Sequence, residues 1–132
     1  MIEVSAVSTK QERVVLLVED EVMVRLVGSD ALSDAGYTVV EAETADEAVR
    51  LLEEGGDVHL LFTDIRMPGS MDGLKLAELV HQRWPSIRIL LTSGDTLPTR
   101  DQIPDDGSFL QKPYRVDTLR QEVRRLMYQE IR

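Results

Sequence analysis

The segment Val14-Val15-Leu16-Leu17-Val18-Glu19-Asp20-Glu21 sets five consecutive aliphatic residues against three consecutive carboxylates. An apolar run without alternation is the pattern of a strand covered on both faces, as in a parallel sheet between two layers of helices. The change to charge at its carboxyl end puts polar chemistry on the rim of that sheet. Downstream the pattern recurs. Residues 21–35 carry Val24, Val27, Ala31, Leu32 and Ala35 at helical spacing, and Gly36 supplies a left-handed stop. Residues 37–41 form a second short strand, and Thr44-Ala45-Asp46-Glu47 is a capping box for a helix that closes at Gly55-Gly56. Residues 58–63 read as a third strand, followed by a loop over 64–71 that holds Pro68 and Gly69. Asp72 caps a helix running to Trp84, where Pro85 prevents continuation. Residues 87–91 and 108–111 are the fourth and fifth strands. A last amphipathic helix is built on Val116, Leu119, Val123 and Leu126. Between Thr92 and Phe109 stand Pro98, Pro104 and Gly107 with few apolar positions, so the fourth of five helices should be short or irregular. Strands alternating with helices of this length predict an α/β fold, a doubly wound five-stranded parallel sheet.

Bulk properties narrow the function. The chain has 132 residues, the size of one ordinary domain, and is 42% hydrophobic and 30% charged, a globular balance. It has no cysteine, which removes disulfides, thiolate metal sites and cysteine nucleophiles together. A net charge of −9 repels phosphate backbones and anionic lipid, which argues against direct nucleic-acid or membrane binding. Residues 1–13 lack the basic start and apolar centre of a signal peptide, and no apolar run approaches a membrane span. The expectation is a mobile tail over 1–12, one domain over 13–132, and a cytoplasmic location.

In an open α/β sheet the ligand site lies beyond the carboxyl ends of the strands. Glu19, Asp20 and Glu21 follow the first strand, Asp64 the third, Thr92 and Ser93 the fourth, and Lys112 the fifth. Parallel strands bring them to one rim although 44, 28 and 20 residues separate Asp20, Asp64, Thr92 and Lys112 in turn. Converging carboxylates repel unless a cation sits among them, and oxygen-only ligands suit a hard ion such as Mg2+. Asp64 is then both ligand and nucleophile, because carboxylates attack phosphorus to give aspartyl-phosphates. A lysine ammonium and a hydroxyl complete the clamp.

Leu17-Val18-Glu19-Asp20-Glu21, Phe62-Thr63-Asp64-Ile65-Arg66-Met67-Pro68, Met71-Asp72-Gly73, Leu91-Thr92-Ser93-Gly94 and Phe109-Leu110-Gln111-Lys112-Pro113 resemble the receiver domains of two-component response regulators. The resemblance spans about residues 13–130, with every signature in order. It implies a flavodoxin-like sheet of strand order 2-1-3-4-5. It also implies a signalling switch rather than a multiple-turnover enzyme. Asp64 would be the phosphoacceptor, charged by a phosphohistidine on a sensor histidine kinase or a histidine phosphotransfer protein. Mg2+ would be held by Asp20 directly, by Glu19 partly through water, by Asp64 and by the backbone carbonyl of Arg66. Thr92 and Lys112 would bind the phosphoryl group, Phe109 would change rotamer on activation, and the Lys112–Pro113 bond would be cis. An unidentified downstream protein would read the result.

The chain departs from the family pattern in places. The loop Pro68-Gly69-Ser70-Met71 is one residue longer than the commonest form, and Phe109 stands where tyrosine is more usual. The Thr92-Ser93-Gly94 sequence and the weak fourth helix resemble receivers of hybrid sensor kinases or single-domain regulators. No output domain follows Arg132, which leaves open a contact-only regulator or an excised receiver.

Other functions fit less well. A phosphorylation-independent pseudo-receiver would be marked by loss of Asp64, Asp20 or Lys112, and all three are present. Haloacid-dehalogenase-type phosphatases use a second aspartate two residues after the nucleophile, where this chain has Arg66. A flavodoxin-like cofactor binder needs a phosphate cradle after the first strand, where Glu19-Asp20-Glu21 would repel phosphate. His59, His81 and Trp84 read as structural, Gly28 as a close-packing position, and Arg120, Arg124 and Arg125 as a solvated face beside the helix end, with kinase docking as the lesser alternative.

Overall fold

In a computed structural model, residues 12–128 are described. Nearly all of the expected tail therefore lies outside the described residues. Five strands, β1 (Val14–Val18), β2 (Thr38–Ala42), β3 (Leu60–Asp64), β4 (Arg88–Ser93) and β5 (Ser108–Gln111), pair in parallel in the order β2-β1-β3-β4-β5. Helices α1 (Val22–Asp34), α2 (Ala45–Glu53), α3 (Gly73–Arg83) and α4 (Val116–Met127) cover the two faces. In place of the weak helix expected between β4 and β5 there is a single 3-10 turn at Arg100–Gln102, capped by reciprocal bonds between Thr99 and Gln102.

The unbroken apolar runs divide by parity. Leu16, Val18, Leu61, Ile89 and Leu91 face α2 and α3, while Val15, Leu17, Leu60, Phe62 and Leu90 face α1 and α4. All of them are buried, as a two-faced sheet requires. Local signals close the elements as read. The Thr44 hydroxyl accepts from the Glu47 amide at 3.1 Å, Asp72 accepts from the Lys75 amide at 2.9 Å, and Gly36 takes φ +100° after α1. His59 is structural, its Nδ1 accepting the Val14 amide at 3.0 Å. Trp84 ends α3 with its ring under the Arg83 guanidinium, 4.4 Å from the ring centroid.

Two expectations need correction. Val27 and Ala35, expected on the inward face of α1, are exposed, and the buried stripe is Gly28, Ser29, Ala31 and Leu32. Gly28, not Val27, stands over Leu17 and Phe62, so the face that α1 turns to the sheet is offset from its apolar spacing. Strands β3 and β4 also run further than their apolar runs suggest. Asp64 pairs with Thr92 inside the ladder, and the Ile65 amide still donates to the Thr92 carbonyl at 2.8 Å. Ladder bonds, blind to side-chain polarity, carry the strands into the polar residues. Asp64 and Thr92 are thereby held by sheet rather than by loop.

Candidate functional site

The chain runs from β1 to β2 on one side and then crosses to β3 on the other, so a crevice opens between the ends of β1 and β3. Glu19 and Asp20 leave β1 there, and Asp64 ends β3. Ligand atoms of Glu19, Asp20 and Asp64 lie within 4.8 Å of one another. Glu19 and Asp64 are buried and Asp20 is exposed. A shallow cavity of about 290 Å3 is lined by these aspartates together with Arg66, Ser93, Asp95 and Lys112.

Burying two carboxylates together is costly unless a cation answers them. Lys112 supplies it from the end of β5, its Nζ 2.8 Å from Glu19 Oε1 and 3.3 Å from Asp64 Oδ2. One ammonium cannot fully neutralise two carboxylates. Burial and then the Glu19 charge push the Asp64 carboxyl up to about 6, against the smaller opposing pull of Lys112. Burial alone would lower the Lys112 ammonium, but its bonds to Glu19 and Asp64 outweigh that and hold it above the ordinary lysine value. The lysine is thus a permanent cation beside a carboxylate that carries excess negative potential. A hard divalent ion suits the residues present, since the donors are oxygen only and Asp20 has no ion pair of its own among the described residues.

Thr92 is buried with its hydroxyl donating to the Leu110 carbonyl at 2.6 Å. Its neighbour Ser93 accepts the Thr96 amide at 3.1 Å and donates to Asp95 at 3.1 Å, which shapes the loop leaving β4. Asp95 in turn meets Arg66 across the cavity mouth at 3.5 Å, between exposed side chains. Phe109 is half-buried against the core on the α2 and α3 side. The Lys112–Pro113 bond is cis. The long loop after β3 turns at Gly69, with φ +108°, and is tied to α2 by Ser70 Oγ donating to Asp46 at 2.9 Å.

A family model described as the response regulator receiver domain matches residues 15–124. The chain belongs to that family. The sensor kinase CckA of Brucella abortus (strain 2308) is 38% identical over 117 residues, which is 86% of this chain but only 12% of the kinase. The solved receiver domain of the hybrid histidine kinase CckA has a TM-score of 0.75 and 32% identity, covering 86% of this chain and 98% of that one. The response regulator TrrA of Thermotoga maritima, solved in complex with Mg2+ and BeF, has a TM-score of 0.75 and 26% identity with the same coverage of 86% and 98%.

The receiver contains three features whose part no motif explains: Gly73, which belongs to the Met71-Asp72-Gly73 motif, and Tyr114 and Arg25, which belong to none. Gly73 begins α3 against the backbone of β3: a Cβ there would stand 1.9 Å from the Asp64 carbonyl oxygen. That explains the glycine after Asp72, for which spacing alone gives no signal. Tyr114 packs its ring 5.8 Å from Phe62, and its hydroxyl would lie 3.3 Å from a Cβ at Gly28. Burial pushes the Tyr114 phenol up to about 12, so it stays neutral beside Lys112. The third is Arg25, which the sequence marks only as a basic residue within α1. The basic cluster on α4 is partly structural, for Arg120 donates to the Ala31 carbonyl at 3.0 Å and Arg125 pairs with Glu122 at 3.0 Å. Among the described residues, no helix is long and apolar enough to cross a membrane.

Proposed function

We propose that this receiver accepts a phosphoryl group onto Asp64 from a phosphohistidine of a sensor histidine kinase or histidine phosphotransfer protein, and that the phosphorylated form changes its contacts with a downstream protein. The observation that carries the reading is one ammonium shared by two buried carboxylates, with Asp20 left unpaired beside them. In the transfer, an Asp64 oxygen forms the new bond to phosphorus as the P–N bond breaks and its electron pair returns to the imidazole. Asp64 needs no base, because above about pH 6 it is already ionised. Mg2+ held by Asp20, Glu19, Asp64 and the Arg66 carbonyl would neutralise charge on the phosphoryl oxygens.

The remaining residues act after transfer. Lys112, released from Asp64, turns to a phosphoryl oxygen, and Thr92 gives up the Leu110 carbonyl to bond another. Withdrawing Thr92 from its buried position vacates space beside β5, where Phe109 re-packs. These moves bias a two-state equilibrium, so phosphorylation acts as a switch. Such a device turns over only as fast as its phosphate is lost, and is not a multiple-turnover enzyme.

The donor's surface can be described by chemistry. Val22, Met23, Leu26 and Val27 on α1 are each at least 45% exposed. They adjoin an apolar groove of about 500 Å3 lined by Met23, Val24, Val27, Gly94, Pro113 and Tyr114, which reaches Lys112. An exposed apolar patch beside a reactive rim favours a partner that presents its histidine from an apolar helical face.

The reading is tested with phosphoramidate, a small P–N donor, followed by borohydride reduction and peptide mapping. Reduction should convert Asp64, and no other residue, to homoserine. Label elsewhere contradicts the assignment, and a folded, Mg2+-replete protein without label favours a phosphorylation-independent pseudo-receiver.

A further inference from the structure

Arg25 stands one turn into α1 with its side chain only 12% exposed. Its Nη1 donates to the backbone carbonyl of Glu19 at 2.7 Å and its Nε to Glu41 Oε1 at 3.1 Å, with Glu43 3.7 Å from Nη2. Ser29 Oγ donates to the same Glu41 carboxylate at 2.9 Å. The guanidinium therefore clamps the turn after β1 to the end of β2.

That carbonyl is half of the peptide plane that carries the Asp20 amide, so fixing it fixes the direction in which Asp20 leaves the backbone. The rest of the turn is held too. The Glu19 amide donates to the Ala42 carbonyl at 3.0 Å, and the Glu21 amide to Glu19 Oε2 at 3.2 Å. The Asp20 side chain is the exception: it is exposed and makes no hydrogen bond or ion pair among the described residues. Its placement rests on the backbone alone.

From this geometry we infer that Arg25 is a positioning residue for the divalent cation, presetting Asp20 by clamping the Glu19 carbonyl to Glu41. The inference rests on the metal site proposed above. Coulomb's law alone gives the opposite sign. Arg25→Ala removes a cation near a cation site and uncovers Glu41 and Glu43, which should tighten Mg2+ binding. Those carboxylates are 38% and 67% exposed, so solvent screens them and the attraction gained is small. Groups that orient metal ligands typically account for about 10-fold or more in affinity, so orientation outweighs charge.

The test is Mg2+ titration of the full chain by calorimetry, with backbone amide shifts of Asp20 and Glu21 as a site-specific readout. Arg25→Ala should raise the Mg2+ Kd about 10-fold. Arg25→Lys, which retains the charge but not the fork, should fall between the two. Val39→Ala, a half-buried strand residue that packs against the α1 side, should lower the melting temperature while leaving the Kd unchanged. An Arg25→Ala Kd equal to or below the parent's overturns the inference, as does equal weakening by Val39→Ala. If Arg25→Ala does not fold, an Arg25→Lys Kd equal to the parent's does the same. A parent chain that binds no Mg2+ overturns the metal site itself, a separate result.

Discussion

Replacing Asp64 by asparagine should make the metal-free protein more stable at neutral pH and nearly abolish one component of its pH dependence. The Asp64 carboxyl titrates near 6 in the folded chain and at 3.8 in an unfolded one. A carboxyl with a raised folded pKa favours folding while protonated, and that contribution is lost as pH rises from about 4 through about 6. A rise of about two units is worth at most about 3 kcal/mol, at about 1.4 kcal/mol per unit. Roughly two thirds of this develops between about pH 4.5 and 7.5, and the cavity opens to solvent, so about 1–2 kcal/mol is expected. Asparagine resembles the protonated acid and escapes the penalty. Urea unfolding in EDTA, followed by circular dichroism across that range, measures both chains. The parent should lose about 1–2 kcal/mol relative to Asp64→Asn as pH rises. Parallel profiles, or a less stable variant at pH 7.5, would refute the placement of Asp64 among uncompensated negative charge.

Lys112→Ala leaves two buried carboxylates without their cation, and should cost about 3 kcal/mol in EDTA by denaturant unfolding, with added Mg2+ restoring much of it. Gly73→Ala drives a Cβ into the Asp64 carbonyl and should destabilise by about 3 kcal/mol, whereas Gly94→Ala, whose Cβ would sit 3.7 Å from Lys112, should be near neutral. Equal melting temperatures for the two would contradict the close approach of α3 to β3. Thr92→Val removes the bond to the Leu110 carbonyl and should cost about 1 kcal/mol. It should still take up phosphate, but phosphorylation should no longer shift the Phe109 ring resonances seen by NMR.

The sheet was legible because its strands are uninterrupted aliphatic runs, a pattern that burial on both faces imposes and that survives without context. The rim followed from it, since parallel strands bring Glu19, Asp20, Asp64, Thr92 and Lys112 together however far apart they lie in the chain. Less could be read where tertiary position overrides periodicity. Val27 belongs to the apolar stripe of α1 by spacing, yet it is 51% exposed, because Gly28 faces the sheet in its place. Side-chain polarity marks the strand ends poorly, while backbone ladder bonds carry β3 to Asp64 and β4 to Ser93. The part played by Gly73, quoted only as a motif residue, and by Arg25 is hidden from the sequence for a common reason. Each acts on a backbone carbonyl, of Asp64 and of Glu19, and sequence patterns describe side chains. Pro98, Pro104 and Gly107 predict a weak fourth helix, though not its reduction to one 3-10 turn.

Everything proposed for the rim depends on Asp64 being a metal-assisted phosphoacceptor. The decisive experiment is intact-mass spectrometry after incubation with acetyl phosphate, with Mg2+ or with EDTA, beside Asp64→Asn. One added phosphoryl group is expected with Mg2+, little with EDTA, and none in the variant. A gain that persists in Asp64→Asn, or that is indifferent to Mg2+, would contradict it.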